Sequence, residues 1–144
     1  MQPTKTSNPK RVLVADDDPV IRRLVTSIVM KGGYEPVVVK DGREAMRVLQ
    51  RDANFGAAIF DMMMPHIEGI DLIRHMQTEK RLMRIPVMMI TSEQDYKLMR
   101  DSFGAGAAVF LPKPFTIVQL QTMLNMIVGK GGEGRGAYTR GSQR

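Results

Sequence analysis

The chain has 144 residues, 43% apolar and 25% charged, with no cysteine and two histidines, His66 and His75. That length suits one domain and not two. The composition excludes a fibrous repeat or wholesale disorder, and the missing thiols exclude a disulfide framework, a thiolate metal site and cysteine catalysis. The formal charge of +6 raises the question of nucleic acid, which only the placement of the charges can answer.

Residues 1–10 read as a disordered arm with Lys5 and Lys10, no acid, and none of the apolar stretch of a signal peptide. From residue 11 onward, short apolar runs alternate with longer segments whose apolar residues recur about every 3.6 positions, the rhythm of βα units. Residues 12–15 form the first strand. Asp18-Pro19 caps a helix on which Val20, Ile21, Leu24, Val25 and Ile28 share a face until Gly32-Gly33 stops it. A strand at 36–39 leads to a second helix opened by the capping pattern Asp41-Gly42-Arg43-Glu44, with Ala45, Met46 and Leu49 facing inward. Residues 57–60 make the third strand, and Ile70, Ile73 and Met76 mark the third helix. A strand at 86–90 precedes a fourth helix supported by Met99 and Phe103 and closed by Gly104. A strand at 107–110 precedes a fifth helix with Ile117, Leu120, Leu124 and Ile127, ending at Gly129. The continuous apolarity of the five runs implies parallel strands buried on both faces.

Residues 129–144 form a Gly-rich tail in which Lys130, Arg135, Arg140 and Arg144 face only Glu133. Such a segment has too little apolar surface to offset its ordering entropy, so it is expected to be disordered. With both ends set aside, residues 12–128 balance 14 basic against 14 acidic side chains. The domain is neutral, so nothing in its charge calls for DNA. No run approaches the ~18 apolar residues of a membrane span. The expected address is cytoplasmic.

In an open parallel sheet, ligands gather at the carboxyl ends of the strands, near the point where strand order reverses. The first strand runs into Asp16-Asp17-Asp18, the third into Asp61, the fourth into Thr91-Ser92, and Lys113 follows the fifth. Each residue alone has an ordinary structural explanation: aspartates cap helices and open turns, threonines end strands, lysines coat surfaces. Together they ask for more. Carboxylates at adjacent strand ends repel one another unless a cation neutralises them, and a hard oxygen set with few protein contacts suits Mg²⁺. An ammonium and a hydroxyl nearby then supply what a transferring phosphoryl group needs. The thirteen methionines invite a soft-metal reading, but copper at Met62, Met63 and Met64 would require three consecutive side chains to converge. Met88 and Met89 read as core filler in a buried strand.

These residues resemble the receiver domain of two-component response regulators. The resemblance spans about residues 10–128 and rests on Val-Leu-Val-Ala-Asp-Asp-Asp at 12–18, Phe-Asp-Met-Met-Met-Pro at 60–65 with Gly69, Ile-Thr-Ser at 90–92, Gly-Ala-Gly-Ala at 104–107 and Lys-Pro-Phe at 113–115. It implies an α/β, flavodoxin-like three-layer sandwich: a five-stranded parallel sheet of order 2-1-3-4-5 with five helices. It also implies that Asp61 is the phosphoacceptor and that Mg²⁺ is held by Asp17 directly, Asp16 mainly through water, Asp61 and the Met63 backbone carbonyl. Lys113 would pair with the carboxylate or phosphoryl oxygen, with a cis peptide at Pro114. Thr91 and Phe110 would be the switch residues, Thr91 drawn inward on phosphorylation. Phe110 stands where the family commonly has tyrosine and lacks its hydroxyl. Met63, two beyond Asp61, cannot orient a hydrolytic water, so the phosphoaspartate is expected to outlive that of fast chemotaxis regulators. Glu93 is the remaining group placed to touch such a water. Pro112 removes an N–H just before Lys113.

The resemblance implies a stand-alone signalling phosphoacceptor rather than an enzyme, one that assists its own phosphorylation and dephosphorylation. Its donor would be a histidine kinase or histidine phosphotransfer protein. Output would pass to a protein partner through the fourth helix, fifth strand and fifth helix around Tyr96, Lys97, Phe110 and Val118, or through a homodimer. Two alternatives stand beside it. One is an unphosphorylated docking module. The other is a haloacid-dehalogenase-type phosphatase with Asp16 as nucleophile, which needs a later acidic pair although Glu133 is the only acid after Lys113.

Overall fold

The computed structural model describes residues 10–92 and 96–131. Its elements are β1 (Arg11–Ala15), α1 (Pro19–Lys31), β2 (Glu35–Val39), α2 (Gly42–Arg51), β3 (Ala57–Asp61), α3 (Gly69–Met76), α4 (Lys80–Met83), β4 (Val87–Thr91), α5 (Tyr96–Ala105), β5 (Val109–Pro112) and α6 (Ile117–Gly131). All strand pairs are parallel and the order is β2-β1-β3-β4-β5. The chain therefore winds outward in both directions from β1 and β3, whose carboxyl ends flank the point of reversal. Among the described residues no helix is long and apolar enough to cross a membrane.

Alternation along each strand feeds two cores. On one face Val12, Val14, Ile59, Met88 and Ile90 pack with Val25, Ile28 and Val29 of α1 and Leu120, Leu124 and Ile127 of α6. On the other, Leu13, Ala58, Phe60 and Met89 pack with Leu49 of α2, Leu72, Ile73 and Met76 of α3, and Leu82. Leu98, Met99 and Ala105 of α5 only partly join that core.

Both expected N-caps form, but the capping box at α2 is only half closed. Asp18 Oδ1 accepts from the Val20 N–H at 2.9 Å, and Asp41 Oδ1 from the Glu44 N–H at 2.9 Å. Glu44 returns a contact to the Lys40 N–H, not to that of Asp41. A reciprocal pair that the sequence reading passed over opens α6: the Gln119 N–H donates to Thr116 Oγ1, and Gln119 Oε1 accepts from the Thr116 N–H.

Several expectations need correction. Among the described residues there are six helices, because the single turn α4 hangs on one buried residue, Leu82, and so carries no periodic signal. The fifth strand begins two residues later than expected. Gly106, at φ 124°, turns the chain, and the Gly106 and Ala107 N–H groups close α5 back onto the Ser102 carbonyl. The second strand is not buried on both faces. As an edge strand it leaves Glu35 exposed and Val38 40% exposed. Val20 and Ile117 face outward at the starts of their helices, Leu24 is 38% exposed in the middle of α1, and Phe103 lies outside the core at 45% exposure. The last helix continues to Gly131, three residues into the expected tail, while the arm (1–9) and residues 132–144 lie outside the described residues.

Both edge strands contain a proline that this topology accommodates. The Glu35 N–H bonds the Lys10 carbonyl at 2.8 Å, and the Lys113 N–H bonds the Thr91 carbonyl at 2.7 Å. By alternation, the Pro36 and Pro112 nitrogens face the open edges, where no ladder donor is missed.

Candidate functional site

Three strands deliver their last residues to one cleft. β1 ends at Ala15 and passes directly to Asp16 and Asp17, β3 ends on Asp61, and β4 ends on Thr91. One carboxylate oxygen from each of Asp16, Asp17 and Asp61 lies within 4.8 Å of the others, Asp16 and Asp61 being buried and Asp17 exposed. Lys113 reaches in from beyond β5, its Nζ 3.8 Å from Asp61 Oδ1. The Lys113–Pro114 peptide is cis, as the resemblance implied. Because the Lys113 N–H is bonded to the Thr91 carbonyl, the two residues are tied through the backbone as well as sharing the cleft.

Local bonds hold the acids in place. Asp16 Oδ1 accepts from the Asp18 N–H at 2.9 Å, and its carbonyl accepts from Arg22 at 2.9 Å. Gly69 allows α3 to start against the end of β3. A Cβ there would stand 2.6 Å from the Asp61 carbonyl oxygen and 2.7 Å from the Met89 methyl.

The electrostatics are those of crowded carboxylates. Burial, with Asp16 beside it, pushes the Asp61 carboxyl up to about 7, against the opposing pull of Lys113 and the Met63 N–H. Burial likewise raises Asp16, opposed chiefly by the Asp18 N–H and Lys113. One ammonium does not neutralise the cluster. A hard divalent cation fits this donor set, since it would stabilise the ionised forms of two groups that burial, with neighbouring carboxylates, holds toward protonation.

Each candidate residue can now be located. Asp16, Asp17, Asp61 and Lys113 converge, Thr91 is buried at the end of β4 with its carbonyl on the Lys113 N–H, and the Met63 N–H reaches Asp61 while the Met63 side chain is 52% exposed. Met62 and Met64 are buried while Met63 points out, so the three consecutive side chains do not converge and the soft-metal reading fails. Phe110 is buried on β5 under Phe103, with ring centroids 6.3 Å apart at 52°. Glu93 and the Tyr96 side chain lie outside the described residues. The sequence reading missed Ser102, fully buried on α5, whose hydroxyl donates to Met62 Sδ at 3.7 Å. Nor did it single out His66, which has φ 72° and pairs with Arg43 at 3.2 Å. Neither contact leaves a sequence signal, because the partners are 40 and 23 positions away.

A flavodoxin-like sheet with an acidic cleft at its switch point and a lysine on the neighbouring loop defines a receiver-type domain. The family model described as the response regulator receiver domain matches residues 12–125, and the chain belongs to that family. It is 32% identical over 120 residues to the chemotaxis protein CheY1 of Helicobacter pylori, covering 83% of this chain and 97% of that one. The chemotaxis response regulator CheY4 of Vibrio cholerae is similar in structure, with a TM-score of 0.77 at 28% identity over 83% of this chain and 99% of that one. So is the receiver domain of the sensor histidine kinase PA1611 of Pseudomonas aeruginosa, with a TM-score of 0.77 at 25% identity over 84% and 98% of the two chains. That structure has a magnesium ion coordinated in its active-site cleft. The phosphatase alternative finds no support in these matches and leaves Asp61 without a role.

Proposed function

We propose that the chain is a phosphorylation-controlled switch in which Asp61 accepts a phosphoryl group from the phosphohistidine of a histidine kinase or phosphotransfer protein. A carboxylate oxygen of Asp61 attacks phosphorus, the bond from phosphorus to the donor nitrogen breaks, and an acyl phosphate remains on the aspartate. The observation that carries this reading is the meeting of three carboxylates from two strand ends with Lys113, 3.8 Å from Asp61. Asp16, Asp17, Asp61 and the Met63 carbonyl would hold Mg²⁺, whose chemistry there is charge neutralisation of the phosphoryl oxygens.

Lys113 pairs with a phosphoryl oxygen once the carboxylate is esterified, and the Thr91 hydroxyl donates to another. Movement of Thr91 toward the phosphoryl group biases α5 and the Phe110 ring, and the altered face of α5, β5 and α6 binds the next protein. Exposed Lys97 and Val118 belong to that face, and self-association through it is a second form of output. Met63 offers no group to orient a hydrolytic water, which supports a long-lived phosphoaspartate. Met63→Asn is expected to speed its decay, and an unchanged decay rate would refute this role.

Intact mass of the full chain after incubation with acetyl phosphate tests the main reading. A Mg²⁺-dependent adduct in the wild type that is lost in Asp61→Asn is expected. A folded wild type that stays unmodified by both small donors and phosphohistidine proteins would leave the unphosphorylated docking module in its place.

A further inference from the structure

The loop between β3 and α3 is gripped in a way the phosphoacceptor reading does not use. The Gly69 N–H bonds the Met62 carbonyl at 3.1 Å and closes the loop at its base. At its crest the Ile67 N–H bonds the Pro65 carbonyl at 2.8 Å across His66, whose φ is 72°. An i-to-i+2 bond around a positive central φ is the rare, strained form of γ-turn, and a side chain with a Cβ stays there only when its surroundings hold it.

The N-terminus of α2 is what holds it. Gly42 lies so close under the loop that a Cβ on it would collide with the Ile67 carbonyl. One residue on, Arg43 Nη2 sits 3.2 Å from His66 Nε2. A guanidinium can only donate, so Nε2 is the acceptor and the imidazole is neutral with its proton on Nδ1. The α2 N-cap carboxylate of Asp41, held below the ordinary range mainly by the Glu44 N–H with help from Arg43, is the nearby counter-charge.

We propose that Arg43 is a positioning residue for the candidate metal and phosphoacceptor site. Through His66 it clamps the strained crest of the loop and so fixes the path of Met63, whose carbonyl is the one backbone group in the expected donor set. The inference rests on the phosphoacceptor reading above and adds to it a residue remote from the cleft. Both side chains are exposed, and an exposed pair contributes little to global stability. Its loss is therefore read at the metal and not in the melting curve.

The test is calorimetric titration of the full chain with MgCl₂, alongside thermal melts. Arg43→Gln is expected to weaken Mg²⁺ binding about tenfold, as loss of an outer partner commonly does, while moving Tm by no more than about 2 °C. His66→Asn should match it, and the double variant should be no weaker than either single one. His66→Gly removes the strain that needs clamping, so on that background Arg43→Gln should have little effect on the metal. If the wild type binds Mg²⁺ and Arg43→Gln superimposes on it, or loses affinity only in step with Tm, the clamp is refuted and the phosphoacceptor reading stands. A folded wild type that binds no Mg²⁺ refutes both.

Discussion

The interior of the sheet and its carboxyl end follow opposite rules. In the interior, Leu13, Phe60, Met88 and Met89 are fully buried in apolar company, and each stabilises the fold by leaving water. At the carboxyl end the chain buries Asp16, Asp61 and Thr91, three of the four buried polar or charged residues among those described. Two carboxylates there are forced toward protonation chiefly by burial, with neighbouring aspartates adding to it, which is a stability cost that no packing requirement explains. The strands are thus built for cohesion over most of their length and for chemistry at one end.

Truncation in the interior should produce the largest effect. Leu72, fully buried between α3 and the sheet, is expected to cost about 2–5 kcal/mol as Leu72→Ala, read from the urea midpoint at unchanged m-value. The same measurement at the carboxyl end should change sign. Asp61→Asn removes a buried charge and is expected to stabilise the protein by about 1–3 kcal/mol at pH 8. A destabilised Asp61→Asn would mean that the acidic cleft is structural and that the contrast between the two regions is wrong.

The pH dependence of that gain follows from linkage. The Asp61 carboxyl titrates near 7 in the fold against a reference value of 3.8, so between these values the native state holds more protons than the unfolded one. Stability from this group is therefore lost as pH rises through that window and is level above it. The advantage of Asp61→Asn over the wild type should grow between pH 4 and pH 7 and then stay constant. Asp41 and Asp52 are shifted downward, by the Glu44 and Asn54 N–H groups respectively, so their contributions change only below the reference value. They do not obscure the window.

Mg²⁺ sharpens the contrast further. A cation bound to the acidic cleft stabilises only the folded chain, by about 2.7 kcal/mol at a hundredfold excess over Kd. Chelation should lower the wild-type Tm correspondingly and leave Asp61→Asn much less affected. Equal responses in the two proteins would detach the cation from Asp61.

The two regions were also unequally legible in the sequence. Asp16, Asp17, Asp61 and Thr91 could be located because strand ends are marked by where apolar runs stop, and Lys113 because it opens a recognisable Lys-Pro-Phe string. What could not be read depends on contacts between distant segments. The single turn α4 is fixed by Leu82 docking into a core assembled from α2, α3 and the sheet. β5 is displaced because Gly106 and Ala107 return their N–H groups to Ser102. Pro112 reads in the sequence as a lost N–H just before Lys113; it ends β5, and its place on an edge, with its nitrogen facing outward, makes it ordinary.

Ser102 gives the smallest effect and separates α5 from the other long helices. α6 buries Leu120, Leu124, Ile127 and Val128, while among the described side chains of α5 the one fully buried is this serine, its hydroxyl on the Met62 sulfur next to Asp61. A thioether is a weak acceptor, so the bond barely offsets the desolvation of the hydroxyl. Ser102→Ala is expected to change stability by less than about 1 kcal/mol. Its effect should fall instead on α5, whose amides are expected to exchange faster than those of α6 in the wild type and to change on substitution while α6 does not. Exchange equally slow in both helices would show that α5 is as firmly seated as α6, and the division between a rigid interior and an adjustable carboxyl end would then stop at the cleft itself.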